Sequence, residues 1–335
     1  MEYTVLNDGV TKISKLSLGT WAFSNAPVWG KCDDSAAVDT VHQALDRGIN
    51  LIDTAEKYGD GQAEIVLGKA LRGKRHQAVI ASKVYSDHLH YQSVIESCEA
   101  SLKRLNTDYI DILQIHWPNE DISSDETFAA FEQLKKDGKV RMISVCNHGI
   151  QCLEHIRDRN IVMNQMPYSL VWRVAEHQFS PSMKEEGIYL WAYSPLGQGL
   201  LTGKFRTLED VPINRRTTRI YDSKWGQGLH TDGGYEQEVF AFLDKLRKLS
   251  EETGYTMPEF AFGFLRSREN MGSILVGARN IQQLGQNIEA FSRKIPRSLI
   301  DEVDRMSGEL KEQMGDNADL WQNGLNRCRK EGRMY

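Results

Sequence analysis

The sequence predicts an α/β protein, a (β/α)8 TIM barrel in which residues 1–335 form a single domain. Eight short apolar segments alternate with helix-like segments, as they do in barrels of parallel strands. Polar residues stand just past three successive apolar segments: Asp53 with Tyr58, then Lys83, then His116. Their intervals of 30 residues (53 to 83) and 33 residues (83 to 116) suit one strand and its crossover helix. An open, doubly wound sheet is the alternative, but no glycine-rich turn follows the first strand.

A β-hairpin is predicted ahead of the barrel, over residues 3–13. Residues 3–6 and 10–13 are strand-like, and between them lies an Asp-Gly pair, Asp8 and Gly9. Such a pair favours a tight hairpin turn, because glycine readily adopts the positive φ that the turn requires.

Strands and helices then alternate along the chain. The apolar runs with the length of buried strands are 16–18, 50–52, 78–81, 110–113, 141–145, 161–164, 189–192 and 272–276. The helix-like segments are 33–46, 63–71, 91–105, 124–137, 151–157, 176–186, 235–253 and 281–291. Asp33 begins the first helix as an N-cap should, and Gly48 and Gly138 follow two helices as C-terminal stops.

Two segments do not fit this alternation. Residues 205–234 are polar, lack a period and are too long for a plain connection. We therefore expect a loop insertion that binds a ligand or closes over one. Residues 296–335 follow the last barrel helix; 298–311 are helix-like, and an irregular tail ends the chain.

Four residues near the strand ends form the candidate catalytic set: Asp53, Tyr58, Lys83 and His116. In a parallel barrel the carboxyl ends of the strands meet at one rim, where active sites lie. A nearby ammonium stabilises a phenolate and lowers a pKa that is ordinarily about 10. We therefore expect Lys83, held by Asp53, to activate Tyr58 as a proton donor to a carbonyl oxygen, which His116 also hydrogen-bonds.

Each of these residues alone has an ordinary structural interpretation. Asp53 could belong to a cap or turn, Tyr58 could flank a turn, Lys83 could be a solvated charge and His116 could be a core histidine. Their joint position at three successive strand ends favours the catalytic interpretation.

Charge and composition argue against several classes of function. The net charge of −5 and the pI near 6.0 argue against a nucleic-acid partner. The N-terminus lacks the apolar core of a signal peptide, and no apolar run approaches the ~20 residues that span a bilayer. We expect a cytoplasmic protein without a membrane partner. No metal is expected, because no C-x-x-C pair occurs and His88 and His90 supply only half of a zinc site.

Segment 51–59, LIDTAEKYG, together with Glu64 and LGKAL at 67–71, closely resembles the signature of the aldo-keto reductases. SK at 82–83 and QIHWP at 114–118 match the next two motifs of that family, and the resemblance covers nearly the whole chain. The chain resembles bacterial branches of that family that act on sugars, polyols and small aldehydes. The resemblance implies an (α/β)8 barrel, a small-molecule carbonyl or sugar substrate, and the same catalytic roles for the four residues.

The resemblance also implies an extended nicotinamide cofactor without a Rossmann domain, NADP(H) in preference to NAD(H). The matching motifs are ISVCNH at 143–148, NQMPY at 164–168, AYSPLGQGLLTGK at 192–204 and VGARNIQQLGQN at 276–287. The positions that would bind the cofactor are Cys146, Asn147, Gln165, Tyr193, Ser194, Leu196, Gly199, Lys204, Gly277, Arg279, Gln283 and Asn287.

In the family, the first three of these motifs hold the nicotinamide ring. Asn147 and Gln165 would bind its carboxamide, and Tyr193 would stack on its face. Cys146 and His148 stand where the family has serine and phenylalanine. The change to cysteine weakens one expected hydrogen bond, because a thiol is a poor donor and acceptor.

The phosphates would lie farther along the same surface. Lys204 and nearby backbone amides would face the pyrophosphate. Arg279 stands where the last strand meets a helix N-terminus, a natural site for anions. It could contact a 2′-phosphate through two hydrogen bonds, which is the reason for preferring NADP(H).

Aromatic residues near the strand ends are the candidates for binding substrate. The family match implies that Trp21 and Trp117 lie beside the carbonyl, and Trp29 lies in the loop after the first strand. Flat aromatic faces suit a sugar, a ring ketone or an aromatic aldehyde. Three tail residues are also candidates to fold over the mouth of the site: Trp321, Arg327 and Arg329.

Two other functions stay open at this point. Lys83 could form a Schiff base in an aldolase, although Asp53 beside it would raise rather than lower the pKa of the amine. The chain could also be a nucleotide-binding regulatory subunit with slow turnover, because potassium-channel β subunits resemble this family.

Overall fold

Eight parallel strands close into a barrel in the computed structural model, which describes residues 1–178, 183, 186–317 and 319–322. An antiparallel hairpin of β1 (Tyr3–Val5) and β2 (Lys12–Ser14) precedes the barrel. The barrel strands are β3 (Leu16–Gly19), β4 (Leu51–Asp53), β5 (Val79–Val84), β6 (Ile110–Ile115), β7 (Val140–Cys146), β8 (Ile161–Pro167), β9 (Tyr189–Tyr193) and β10 (Met271–Gly277). Each strand pairs with the next along the chain, and β10 closes the ring against β3.

Helices connect the strands and pack against one another around the barrel. Within the described residues they are α1 (Asp34–Asp46), α2 (Gln62–Ala70), α3 (Tyr91–Leu105), α4 (Ser124–Lys136), α5 (Ile150–Glu154), α6 (Ala175–Gln178), α7 (Glu236–Thr253), α8 (Met257–Arg266), α9 (Ile281–Ser292) and α10 (Arg297–Met314). Among these helices none has both the length and the apolar character needed to cross a bilayer.

The predicted fold class and N-terminal hairpin are confirmed, and all eight predicted strands are present. Several strands run past the apolar segment that predicts them: β5 continues to Val84 and β6 to Ile115. As a result Asp53 is the last residue of β4 and Lys83 lies inside β5, so their predicted position just past the strands is wrong. Polar residues can stay in a buried strand when each has hydrogen-bonding partners.

The helices differ more from the prediction. The sequence analysis misses α8, although a capping box between Thr256 and Glu259 marks its start. Its apolar residues recur at helical spacing: Met257, Phe260, Ala261, Phe264 and Leu265. A strict alternation of strands and helices, however, leaves no place for a second helix between β9 and β10. The predicted helix 151–157 is shorter in the structure, and most of the predicted helix 176–186 beyond Gln178 lies outside the described residues.

The hairpin covers the amino end of the barrel. Thr4 Oγ1 donates a hydrogen bond to the Gly272 carbonyl at 2.8 Å, and the Ser14 amide donates to Asn50 Oδ1 at 2.7 Å. Two hairpin residues, Leu6 and Ile13, belong to an apolar cluster with strand residues. The cluster runs from the hairpin into the barrel interior, and its strand residues are Leu51, Ala81, Ile112, Met142, Val162, Met163, Trp191 and Leu275.

Candidate active site

Lys83 and Asp53 form a buried ion pair toward the carboxyl ends of β4 and β5. Lys83 Nζ lies 2.6 Å from Asp53 Oδ1 and 2.7 Å from Oδ2, and it donates to the Thr54 carbonyl at 2.8 Å. Gln165 Nε2 donates to Asp53 Oδ1 at 2.9 Å. Buried charges require such partners, so these contacts hold the pair in a fixed geometry.

Tyr58 is the next partner of the same ammonium. Lys83 Nζ donates to Tyr58 Oη at 3.1 Å and lies 4.7 Å from the centroid of its ring. The turn that carries Tyr58 needs Gly59, which has a φ of +63° and whose Cβ, if present, would overlap the Ser24 carbonyl oxygen. This close approach of backbone fixes the position of the phenol.

His116 directly follows β6, and its ring meets the Tyr58 ring edge to face at 5.7 Å. Its backbone N–H donates to the Val84 carbonyl at 2.9 Å, and the Tyr85 ring packs 5.9 Å from the imidazole. The barrel therefore brings the four predicted catalytic residues together, while their catalytic role stays a prediction.

Burial has the largest effect on protonation in this group. It raises the pKa of Tyr58 above its ordinary value, and the Lys83 ammonium opposes that shift. The expected contribution of Lys83 is correct in direction, but the expectation of a lowered pKa is wrong because desolvation is larger. Burial alone would lower the pKa of Lys83, yet Asp53 and Tyr58 raise it above its usual value. The lysine is therefore charged and a poor Schiff-base amine.

A cavity of about 680 Å³ opens at the carboxyl end of the barrel. Its wall includes Asp53, Tyr58 and His116, whereas Lys83 is buried next to Tyr58 and is not part of the wall. The predicted cofactor and substrate positions on the wall are Asn147, Gln165, Tyr193, Ser194, Leu196, Gly199, Lys204, Gly277, Arg279, Gln283, Asn287, Trp21, Trp29 and Trp117.

Cys146 is the predicted cofactor position that does not line this wall. Its thiol is buried and donates to Gln114 Oε1 at 3.3 Å, so it is engaged inside the barrel. Asn147 does line the cavity: its Nδ2 donates to the His116 carbonyl at 3.1 Å, and its Oδ1 accepts from the Tyr193 hydroxyl at 2.9 Å. A cofactor contact by Cys146 stays a prediction, and Asn147 is better placed for one.

Three basic side chains lie on another part of the wall: Lys204, Arg215 and Arg279. Burial and then the charge of Arg215 lower the pKa of Lys204, and burial and then the charge of Arg279 lower the pKa of Arg215. Asp53 is the one carboxylate on the wall within the described residues. The basic group therefore has a positive field suited to phosphate groups.

The backbone is closely packed around these cations. Gly199 has a φ of +107°, and a Cβ there would lie 2.8 Å from Lys204 Nζ. At the start of α9 the Arg279 amide donates to Gln283 Oε1 at 2.9 Å, and the Arg279 guanidinium donates to the Lys31 carbonyl at 2.6 Å. The side-chain amides of Asn147 and Gln165 on one part of the wall and the cations on another fit the two ends of a nicotinamide dinucleotide.

Aromatic rings form the wall around Tyr58. Trp21 stacks with its centroid 6.2 Å from that of Tyr58, and Trp29 meets Trp21 edge-on at 5.3 Å. Trp321, from the C-terminal tail, meets Trp21 at 6.0 Å and lines the cavity. The two tail arginines of the sequence prediction lie outside the described residues.

The loop insertion at 205–234 contributes wall residues that the sequence analysis does not identify. They are Asn214, Arg215, Thr217, Gln227 and Leu229. The available signal was a pair of arginines at 215–216 in a polar segment, but no local pattern indicates which one faces the cavity. Within the same described residues, no group of three His, Cys, Asp or Glu side chains could hold a metal ion.

Comparison with known proteins adds a family and several relatives. The model of the aldo/keto reductase family matches residues 15–307. The aldo-keto reductase YhdN of Bacillus subtilis is 34% identical over 85% of this chain and 87% of its own length. The NADH-specific methylglyoxal reductase of Escherichia coli is 32% identical over 84% of this chain and 90% of its own length. A solved structure of a Klebsiella pneumoniae aldo-keto reductase in complex with NADPH is 25% identical, with a TM-score of 0.71 and coverage of 91% and 95% of the two chains.

Proposed function

Because this chain belongs to the aldo/keto reductase family, we propose that it interconverts a carbonyl compound and an alcohol by hydride transfer, with Tyr58 as general acid and base. One observation carries the proposal. The Tyr58 hydroxyl lies on the cavity wall, 3.1 Å from the Lys83 ammonium that Asp53 holds. A phenol, an ammonium and a carboxylate in this order form a proton donor with a stabilised conjugate base.

When NADPH is bound it supplies the hydride, and the residues of this chain handle the proton and the oxygen. Tyr58 gives its proton to the carbonyl oxygen as negative charge develops there. Lys83 stabilises the phenolate that remains, and Asp53 keeps Lys83 protonated. His116 donates a hydrogen bond to the same carbonyl oxygen and orients it.

Tyr58 can serve both directions of the reaction. As a phenol it is the acid in carbonyl reduction, and as a phenolate it would be the base in alcohol oxidation. Burial raises the pKa of Tyr58 and the Lys83 ammonium opposes that shift, so Lys83 favours the phenolate that both directions require.

The basic group on the wall supports NADP(H) as the preferred cofactor. Arg279 has the guanidinium geometry that binds a 2′-phosphate, and Lys204 and Arg215 add positive charge near it. The relatives differ in this respect, since one is named NADH-specific and another was solved with NADPH. The charges of this chain decide our choice of NADP(H) over NAD(H).

The aromatic wall supports a flat or ring-shaped substrate. Trp21, Trp29 and Trp117 offer indole faces near Tyr58, and indole faces pack well on the apolar faces of sugars and aromatic rings. A sugar, a ring ketone or an aromatic aldehyde is the substrate class that we propose.

Tyr58→Phe is the direct test of the mechanism. NADPH oxidation should first be followed with a panel of sugars, ketones and aldehydes. On the best substrate the variant should lose turnover by about 10²–10⁴-fold, because the acid is removed, while its Kd for NADPH is unchanged. Tyr109→Phe is the matched control, because this tyrosine precedes β6 at the opposite end of the barrel. Full turnover by Tyr58→Phe would reject the mechanism, and cofactor binding without turnover in the wild type would favour a regulatory subunit.

Arg279→Ala tests the cofactor preference. Loss of charged hydrogen bonds to a phosphate should weaken NADPH binding by about 10- to 100-fold and leave NADH binding nearly unchanged, as calorimetry would measure. Arg297→Ala is the control, because its exposed guanidinium pairs with Asp301 at 2.8 Å on α10. Equal losses for both cofactors would contradict recognition of the 2′-phosphate.

A further inference from the structure

The C-terminal tail makes a directed hydrogen bond into the site. Trp321 Nε1 donates to Tyr193 Oη at 3.1 Å, and the Tyr193 hydroxyl donates to Asn147 Oδ1 at 2.9 Å. Asn147 Nδ2 in turn donates to the His116 backbone carbonyl at 3.1 Å. A chain of three hydrogen bonds therefore joins the tail to the residue after β6.

The two end groups of this hydrogen-bond chain fix which group donates in each of its bonds. An indole N–H can only donate, and a peptide carbonyl can only accept. Tyr193 must therefore accept from Trp321, which leaves its own O–H to donate to Asn147. The amide of Asn147 is then held with its oxygen toward Tyr193 and its nitrogen toward His116.

The tail that carries Trp321 is anchored by the loop insertion. Arg219 Nη1 donates to the carbonyls of Asn317 at 3.1 Å and Asp319 at 2.9 Å. The Arg219 backbone N–H donates to the Leu320 carbonyl at 2.8 Å, and its Nε pairs with Asp232. Because Arg219 and Leu320 are buried, these contacts give the indole a defined position.

We propose that Trp321 is a positioning residue for the nicotinamide end of the cofactor site. Its N–H gives the Tyr193 hydroxyl a donor and so holds Tyr193 in place to donate to the Asn147 amide, which the His116 carbonyl orients. Without that N–H, the Tyr193 hydroxyl loses one donor, so Tyr193 and the Asn147 oxygen that accepts from it are held less firmly on the cavity wall. This inference rests on the proposed function, because it takes the wall at Asn147 as the place of the nicotinamide carboxamide.

A simpler role for Trp321 leads to different expected results in binding and kinetics. Its ring also meets Trp21 at 6.0 Å, so it could act only as a wall for the carbonyl substrate. A wall residue would change the KM for the carbonyl compound and not the Kd for NADPH. A positioning residue would change the Kd for NADPH through Tyr193.

Calorimetric titration with NADPH of four full-length proteins separates these roles: the wild type, Trp321→Phe, Tyr193→Phe and the double variant. Each single variant keeps an aromatic ring and breaks one hydrogen bond of the chain. We expect each to bind NADPH about two- to tenfold more weakly, the range for one lost neutral hydrogen bond. The Kd of the double variant for NADPH should be no higher than that of the single variant that binds more weakly, because both changes break the same hydrogen-bond chain.

An unchanged Kd in Trp321→Phe would overturn the inference, and so would losses of affinity that multiply in the double variant. Neither result would contradict the proposed function as long as the wild type binds NADPH. A rise confined to the KM of the carbonyl substrate would also overturn it. Failure of the wild type to bind either NADPH or NADH would overturn both proposals. If Trp321→Phe loosens the tail, Tyr193→Phe still breaks the chain from within the barrel, and a Kd equal to that of the wild type would count against the inference.

Discussion

The two ends of the barrel are built from the same strands but bury opposite kinds of side chain. At the amino end, Leu6 and Ile13 of the hairpin pack with strand residues in an apolar cluster. At the carboxyl end, Asp53, Lys83 and Gln165 are almost as deeply buried, yet they are polar or charged. The same barrel buries both apolar and charged side chains, but burial contributes differently to the free energy of folding in the two cases.

Apolar burial stabilises the amino end directly, at roughly 25 cal/mol per Å² of surface removed from water. Burial of charge is unfavourable unless partners replace the water, and the carboxyl end supplies them: Lys83 has Asp53, Thr54 and Tyr58. One end is therefore specialised for stability, and the other accepts a cost in stability to hold reactive groups. Substitutions at the two ends should separate stability from activity.

Lys83→Met should have the largest effect. Turnover should fall by about 10²–10⁴-fold, and the free energy of unfolding by ~3–5 kcal/mol, because Asp53 loses its buried partner. Burial raises the pKa of Asp53 and Lys83 opposes this, so the variant should have a more strongly raised pKa at Asp53. A raised pKa gives stability that is lost as pH rises, so urea unfolding should show a larger deficit at pH 8 than at pH 5.

A second substitution checks the cause of that loss. Asp53→Asn added to Lys83→Met removes the unpaired carboxylate, so it should restore much of the stability and none of the turnover. A double variant as unstable as Lys83→Met would show that the ion pair is not the reason for the deficit.

Ile13→Ala is the corresponding change at the amino end. The side chain is fully buried in the apolar cluster, so its truncation should lower the free energy of unfolding by ~2–5 kcal/mol. Turnover of the folded enzyme and its Kd for NADPH should stay near the wild-type values. A large fall in turnover at a temperature where the variant is folded would mean that the two ends are coupled, contrary to the comparison.

His148→Phe should have a smaller, pH-dependent effect at the carboxyl end. Burial lowers the pKa of His148 from 6.5 to about 4, so stability present above pH 6.5 is lost as pH falls toward 4. This shift in pKa corresponds to a change of about 3 kcal/mol in the free energy of unfolding. Unfolding measured between pH 7 and 4.5 should show a shallower decline in the variant, although it loses the contact with the Cys146 carbonyl at 2.8 Å.

His76→Phe is the control for this pH series, because His76 is exposed near the start of β5, at the amino end. It should leave the acid decline as in the wild type. If His148→Phe also leaves the decline as steep, the acid sensitivity lies elsewhere.

The barrel and the meeting of the four candidate catalytic residues are predictable for a common reason. Strand and helix patterns are local, and a parallel barrel repeats at about the interval that separates Asp53, Lys83 and His116. Helix α8 is not predicted, although Thr256 and Glu259 mark its start and its apolar residues share one face, because it directly follows another helix where a strict alternation expects a strand. The apolar run at 78–81 also does not show that β5 continues through Lys83.

Much of the cavity wall was harder to predict, because it depends on contacts between distant parts of the chain. Arg219 reaches Asp319 across 100 positions, and this contact brings Trp321 to Tyr193. Arg215 faces the cavity, while Arg216 donates to backbone carbonyls of its own loop. The neighbouring sequence does not distinguish these two arginines.

By itself, the sequence determined the alternation of strands and helices, the hairpin and the set of four polar residues at successive strand ends. Only the tertiary structure decided that burial outweighs Lys83 in its effect on the pKa of Tyr58, that the thiol of Cys146 is engaged inside the barrel, and that Trp321 reaches the site. The physical reason is the range of the interactions. Periodicity arises between neighbours in the chain, whereas desolvation and hydrogen-bond direction depend on every group that packs around an atom.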